Sequence, residues 1–163
     1  MSAIRVRPAR VGDAAAIARL ANQHQALDGR PDDLYSARLV EDHAFGPDPA
    51  FEALVAEREG AVAGYATFGD MYNPDLATRS LWLFDLFVTE AARGQGIGRK
   101  LLAAVARIAV ERERASVAWG VYTANTKARR FYAELGARDE DARVLELDGA
   151  ALTALARSAD IPE

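Results

Sequence analysis

Along the chain the apolar positions change period several times, and each change marks an element. Ile4 and Val6 alternate with Arg5 and Arg7 ahead of Pro8, the pattern of a short edge strand closed by proline. From Asp13, a residue suited to capping a helix, Ile17, Leu20, Ala21 and Leu27 recur at helical spacing. A second helix is expected between Asp33 and Ala44. Gly46, Pro47, Asp48 and Pro49 then break the chain. Phe51 to Glu57 and Val62 to Phe68 follow as two apolar-rich runs about Glu59-Gly60, which predicts an antiparallel hairpin. A loop holding Tyr72, Asn73 and Pro74 leads to Leu81 through Val88, an almost unbroken apolar run that suits a central strand buried on both faces. After a glycine-rich turn, Ile97, Leu101, Leu102, Val105, Ile108 and Ala109 keep helical spacing, and Ser116 to Val121 reads as another strand. Asn125 to Leu135 reads as a helix ended by Gly136 at the C′ position, followed by a strand around Val144 to Leu147 and a helix from Ala150 to Ala156. The pattern predicts a single α/β domain over residues 1–163, with a mixed, partly antiparallel sheet and helices on both faces.

Composition narrows the chemistry. With 163 residues, half of them apolar, the chain can bury a core without metals or disulfides. The absence of cysteine excludes disulfides, thiolate metal sites and cysteine nucleophiles. His24 and His43 are the only histidines, so no metal is expected. The formal charge of -4 argues against sequence-blind nucleic-acid binding, although 18 of the 20 basic residues are arginines that can form local anion sites. No apolar run approaches the ~18 residues of a membrane span, and a cytoplasmic location without membrane association is expected.

The strongest local signal is Arg93-Gly94-Gln95-Gly96-Ile97-Gly98, between the apolar strand and an amphipathic helix. Glycines let the backbone turn several N–H groups toward one point, and a helix N-terminus adds partial positive charge, a combination suited to a pyrophosphate. Arg93, Arg99 and Lys100 reinforce it. A Walker A loop needs Gly-Lys followed by Ser or Thr, whereas Gly98 is followed by Arg99, Lys100 and Leu101. The dinucleotide fingerprint lacks its third glycine, which would fall at Arg99 or Leu101. A turn that merely connects strand to helix is the remaining alternative.

Arg93-x-x-Gly96-x-Gly98 resembles the signature of the GCN5-related N-acetyltransferases, and Asn125 and Phe131-Tyr132 stand where that family has an Asn followed by a Phe-Tyr pair. The resemblance implies that family's mixed, mostly antiparallel sheet and acetyl-CoA as cosubstrate. It implies that the amides of Gly94, Gln95, Gly96, Ile97, Gly98 and Arg99 hold the CoA pyrophosphate, and that the backbone of Phe87 and Val88 meets the pantetheine arm where this strand splays from the Ser116 to Val121 strand. It also implies a homodimer. Within the family the chain is most similar to the diamine (spermidine/spermine) branch, nearly end to end, through Ile4 to Ala9, Leu39 to Gly46, Leu54 to Glu57 and Asp85 to Val88. Phe84 and Asn73 stand where that branch commonly has acidic residues, which argues against a polyamine substrate.

Acetyl transfer needs a neutral amine, and an alkylamine with a pKa of ~10.4 is neutral in about one part per thousand at pH 7. Asp85 interrupts the apolar strand just before the loop and is the candidate proton acceptor; the alternative is a buried carboxylate satisfied by amides or an arginine. Asp28, Asp70 or a held water are substitutes. The Val88 N–H suits an oxyanion. By family likeness, Tyr132 is the acid that protonates the leaving thiolate, with a core tyrosine beside Phe131 as the alternative. Asn125 contacts pantetheine or caps its helix, or does both. His24 and His43 are set aside as ordinary surface or hydrogen-bonded histidines. Tyr72 and Trp82 are candidates to line the acceptor pocket. The expected function is acetyl transfer to a primary amine of a small molecule, such as a diamine or lysine-like amino acid, in a ternary complex. A protein lysine or N-terminal acetyltransferase and a non-catalytic CoA-binding module are the alternatives.

Overall fold

The hairpin about Glu59-Gly60 is the frame on which the sheet is built. The computed structural model describes residues 3–159. In it, β2 (Glu52–Arg58) and β3 (Ala61–Asn73) are joined by those two residues at φ 54° and 80°, a turn whose twist matches the strands it connects. β1 (Arg5–Pro8) pairs antiparallel with β2, β4 (Thr78–Val88) antiparallel with β3, and β5 (Val117–Ala118) parallel with β4. The sheet order is β1-β2-β3-β4-β5, mixed and mostly antiparallel as expected.

Helices cover both faces. On one, Ile17, Leu20 and Ala21 of α1 (Ala14–Leu27) and Val40 of α2 (Ala37–Phe45) pack with Val55, Tyr65 and Phe87 of the sheet. Each large apolar side chain buried there contributes on the order of 2 kcal/mol. On the other face, α3 (Ile97–Glu111) lies so close to β3 that a Cβ on Gly64 would fall 3.2 Å from Ile97 and 3.3 Å from Leu101. These elements form one compact unit, residues 1–119. A second unit, residues 120–163, holds α4 (Thr126–Glu134) and α5 (Gly149–Ala156).

Several boundaries differ from expectation. Asp13 does not cap α1; its carboxylate accepts from the Arg10 N–H at 2.7 Å and binds Arg7 at 2.7 and 3.0 Å, closing a short 3-10 turn ahead of the helix. Arg7 also bonds Glu57, so one guanidinium joins β1, β2 and the start of α1. The second helix begins at Ala37, because Ser36, in extended conformation, accepts from Leu39 N–H at 3.1 Å and fixes the start. β3 extends through Tyr72 and Asn73, which were expected in a loop. The strand expected over Ser116 to Val121 pairs for two residues only, Leu81 with Val117 and Trp82 with Ala118. No strand forms at Val144 to Leu147. A strand needs a partner for its backbone groups, the second unit has no described strand to supply one, and Leu145 is 91% exposed.

β4 is the largest departure. The run from Leu81 to Val88 is not buried on both faces throughout: Phe84, at its middle, is 51% exposed. Phe68 pairs with Leu83 and Thr67 with Asp85, so Phe84 is an extra residue, a β-bulge. Gly69 leaves room for its ring, since a Cβ there would lie 3.1 Å from it. The bulge reverses the alternation of side chains. Leu81 and Leu83 share the α3 face with Phe68, whereas Asp85 and Phe87 share the α1 face with Thr67 and Tyr65.

Candidate active site

The bulge at Phe84 decides where the strand's carboxylate points. Asp85 lies under α1, where the hydroxyl of buried Tyr65 donates to its Oδ2 at 3.1 Å. Its other oxygen faces His24 Nδ1 at 3.4 Å. Burial pushes the Tyr65 hydroxyl strongly upward, and the neighbouring Asp85 charge adds to this, so Tyr65 stays a donor. For His24, burial opposes the charged ring, but the facing Asp85 carboxylate together with Asp28 outweighs burial and the Arg93 charge; the net shift is upward from 6.5.

Phe87 connects this cluster to the glycine loop. The His24 ring stacks on it with centroids 5.2 Å apart, and the Arg93 guanidinium lies 5.8 Å from the same ring. Arg93 Nε donates to the Val88 carbonyl at 3.1 Å, so its side chain folds back on the strand end. The next amide, Thr89 N–H, donates to Ala63 at 2.9 Å. By strand alternation, the N–H of Val88 therefore points away from β3, and that of Phe87 toward it. β4 pairs with β5 only at Leu81 and Trp82, so the Val88 N–H lies on an edge that β5 does not reach.

The loop itself depends on backbone freedom. Gly94 and Gly96 sit at φ 77° and 79°, where a side chain is strained, although added Cβ atoms would meet nothing within 4 Å. Gly96 is the N-cap of α3, buried Ile97 anchors the first turn, and Gly98 follows within it. The result is a run of amides at the N-terminus of a 15-residue helix, open in front and flanked by exposed Gln95, Arg99 and Lys100. These features fit a phosphorylated ligand.

A family model described as Acetyltransferase (GNAT) family matches residues 17–137. The chain belongs to that family. It is an N-acetyltransferase, and GNAT enzymes draw the acetyl group from acetyl-CoA. The acetyltransferase is 30% identical over 148 residues to the thialysine N-epsilon-acetyltransferase of Sus scrofa, covering 85% of this chain and 86% of that one. It is 34% identical over 111 residues to the L-ornithine N5-acetyltransferase NATA1 of Arabidopsis thaliana, covering 66% of this chain and 49% of that one. In fold it matches a solved aminoglycoside N-acetyltransferase in complex with CoA, with TM-score 0.74, 20% identity, and coverage of 92% of this chain and 97% of that one.

Of the residues singled out in sequence, Asp85, Phe87, Val88, Arg93 and the loop through Arg99 converge within the first unit of the acetyltransferase. Asn125 and Tyr132 belong to the second. Asn125 Oδ1 accepts from Ala128 N–H at 3.1 Å and caps α4, where Tyr132 lies beside Phe131 with rings 5.2 Å apart. Asp70 is held by Arg114 at 2.7 and 3.2 Å. Tyr72 is exposed, Trp82 is half-buried, and Asp28 ends α1. Sequence reasoning set His24 aside and passed over Tyr65. His24 does continue the inward stripe of Ile17, Leu20 and Ala21, and a titratable residue on a buried stripe is a readable signal. Tyr65 gives no such signal, because only the β3–β4 register brings it to Asp85.

Among the described residues no helix is long and apolar enough to cross a membrane.

Proposed function

We propose that this acetyltransferase moves the acetyl group of acetyl-CoA to a primary amine of a small molecule, of the terminal side-chain kind that thialysine and ornithine carry, in a ternary complex. The observation that carries the reading is the order along one strand: a part-buried carboxylate at Asp85, an outward amide at Val88, and the glycine loop five residues on.

Each group has a task in keeping with its geometry. The amides of residues 94–99, at the start of α3, hold the pyrophosphate, with Arg99 and Lys100 beside them. Phe87 offers its ring, and Val88 its N–H, to the pantetheine end. The same Val88 N–H meets the negative charge that develops on the thioester oxygen. The Asp85 carboxylate serves the removal of a proton from the substrate ammonium, as the base itself or by holding a neighbouring base in place. The role of protonating the leaving sulfur falls to the Tyr132 hydroxyl on the family resemblance alone, and Asn125 caps the helix that carries it.

Two positions where an acidic side chain would help hold a polycation carry none: Phe84 presents a ring to solvent, and Asn73 accepts from the Asp75 N–H within its own turn at 3.0 Å. An amino-acid side-chain amine therefore suits the site better than a polyamine. The reading takes residues 1–163 as one catalytic domain, acting as a cytoplasmic homodimer without nucleic acid, membrane or metal.

Thiol release from acetyl-CoA against L-ornithine, L-lysine, thialysine, spermidine, putrescine, an amino sugar and a lysine peptide tests the proposal. The expected result is turnover fastest with an amino-acid side-chain amine. Turnover with the peptide alone would transfer the assignment to protein acetylation, and CoA binding without turnover on any amine would leave a binding module.

A further inference from the structure

We propose that His24, with Asp85 behind it, is the residue that takes the proton from the substrate amine; this rests on the acetyltransferase reading above. His24 Nδ1 is fully buried, and no formed hydrogen bond satisfies it. Asp85 Oδ1 faces it at 3.4 Å, a separation that closes to a hydrogen bond with a small side-chain movement. A nitrogen facing a carboxylate is stable there only as the N–H tautomer, which leaves the Nε2 lone pair as the ring's basic site.

The surroundings are arranged for that tautomer. Tyr65, from β3, donates to Asp85 Oδ2 at 3.1 Å and keeps Oδ1 turned toward the ring. Phe87, from β4, stacks on the ring at 5.2 Å and fixes its plane. The His24 side chain keeps 25% of its surface although Nδ1 has none, so what solvent reaches is other atoms of the side chain than the one facing Asp85. Other charges facing it are Asp28, just beyond α1, and Arg93, after β4; the two act in opposite senses on the protonated ring. Phe87 and Arg93 also connect the ring to the Val88 edge.

The protons balance. Nε2 takes one from the substrate ammonium, and the freed nitrogen pair forms the C–N bond to the acetyl carbon as the C–S bond breaks. The amine gives up a second proton as the amide forms, the leaving sulfur takes one up to become the thiol, and His24 returns its own to solvent. Asp85 and Tyr65 are positioning residues in this scheme: neither gains nor loses a proton.

His24→Gln tests it, with two readouts. Calorimetry should give an unchanged Kd for acetyl-CoA, while kcat/KM for the best amine falls ~100-fold or more, in the range of general-base removal, and the limb of the pH profile that His24 governs disappears. The second readout uses the free wild-type protein and does not depend on the variant folding. NMR titration of the His24 Cε1–H should give a pKa above 6.5 that coincides with the kinetic limb, and Asp85→Asn should lower both together. Wild-type turnover with an undiminished His24→Gln enzyme, or a kinetic limb that does not follow the NMR titration, would overturn the His24 assignment alone. A wild-type enzyme that acetylates no amine would instead remove the parent reading, and this one with it.

Discussion

His24 meets two residues distant in sequence, Asp85 and Phe87, and Asp85 is in turn held by Tyr65, which explains why His24 was legible only in part. Its place on the inward stripe of α1 can be read from helical spacing. Its meeting with Asp85 cannot, since that depends on the packing of α1 and on the bulge in β4. The pairing also has a consequence for stability. Because the folded-state pKa is raised above 6.5, the contribution is full below 6.5 and is lost as pH rises through the folded value. The Tm gap between wild type and His24→Gln should therefore be wider at about pH 5.5 than at about pH 8.5. A gap that widens toward alkaline pH would show that the ring is not paired with a carboxylate.

Elements set up by local chemistry were the most legible. The Glu59-Gly60 hairpin, the α3 stripe and the Gly136 stop follow from turn residues and spacing, and all occur where expected. β4 was misread for a physical reason. A bulge keeps apolar residues on both sides of its shift, so Leu81 through Val88 reads as a strand buried on both faces when it is a one-sided strand that changes face at Phe84. The loop after it was readable because its glycines are required by backbone conformation. Gly96 at φ 79° makes any side chain cost about 1–2 kcal/mol, and an Asp adds negative charge beside the amides. Gly96→Asp should weaken acetyl-CoA at least ~10-fold by calorimetry, given that 1.4 kcal/mol corresponds to tenfold. An unchanged Kd would mean that the loop does not hold the phosphates.

For the whole molecule, order along the chain was more legible than pairing. The family follows from Arg93-x-x-Gly96-x-Gly98 with Asn125 and Phe131-Tyr132 at the expected distance, and the matched residues, 17–137, contain all of these. What remained hidden was non-local. Whether Val144 to Leu147 forms a strand depends on a partner, and alternation in the sequence says nothing about one. The side of the sheet that presents Asp85 likewise depends on a single unpaired residue in β4. The substrate lies furthest from the sequence, because Phe84 and Asn73 indicate what the site does not hold more readily than what it does. Product stoichiometry therefore tests the central claim most directly: released CoA thiol and N-acetylated amine counted together by mass spectrometry, with fragmentation to locate the acetyl group. Equal amounts, with the acetyl on the terminal side-chain nitrogen, are predicted; thiol released without an acetylated amine would contradict an N-acetyltransferase acting on that substrate class.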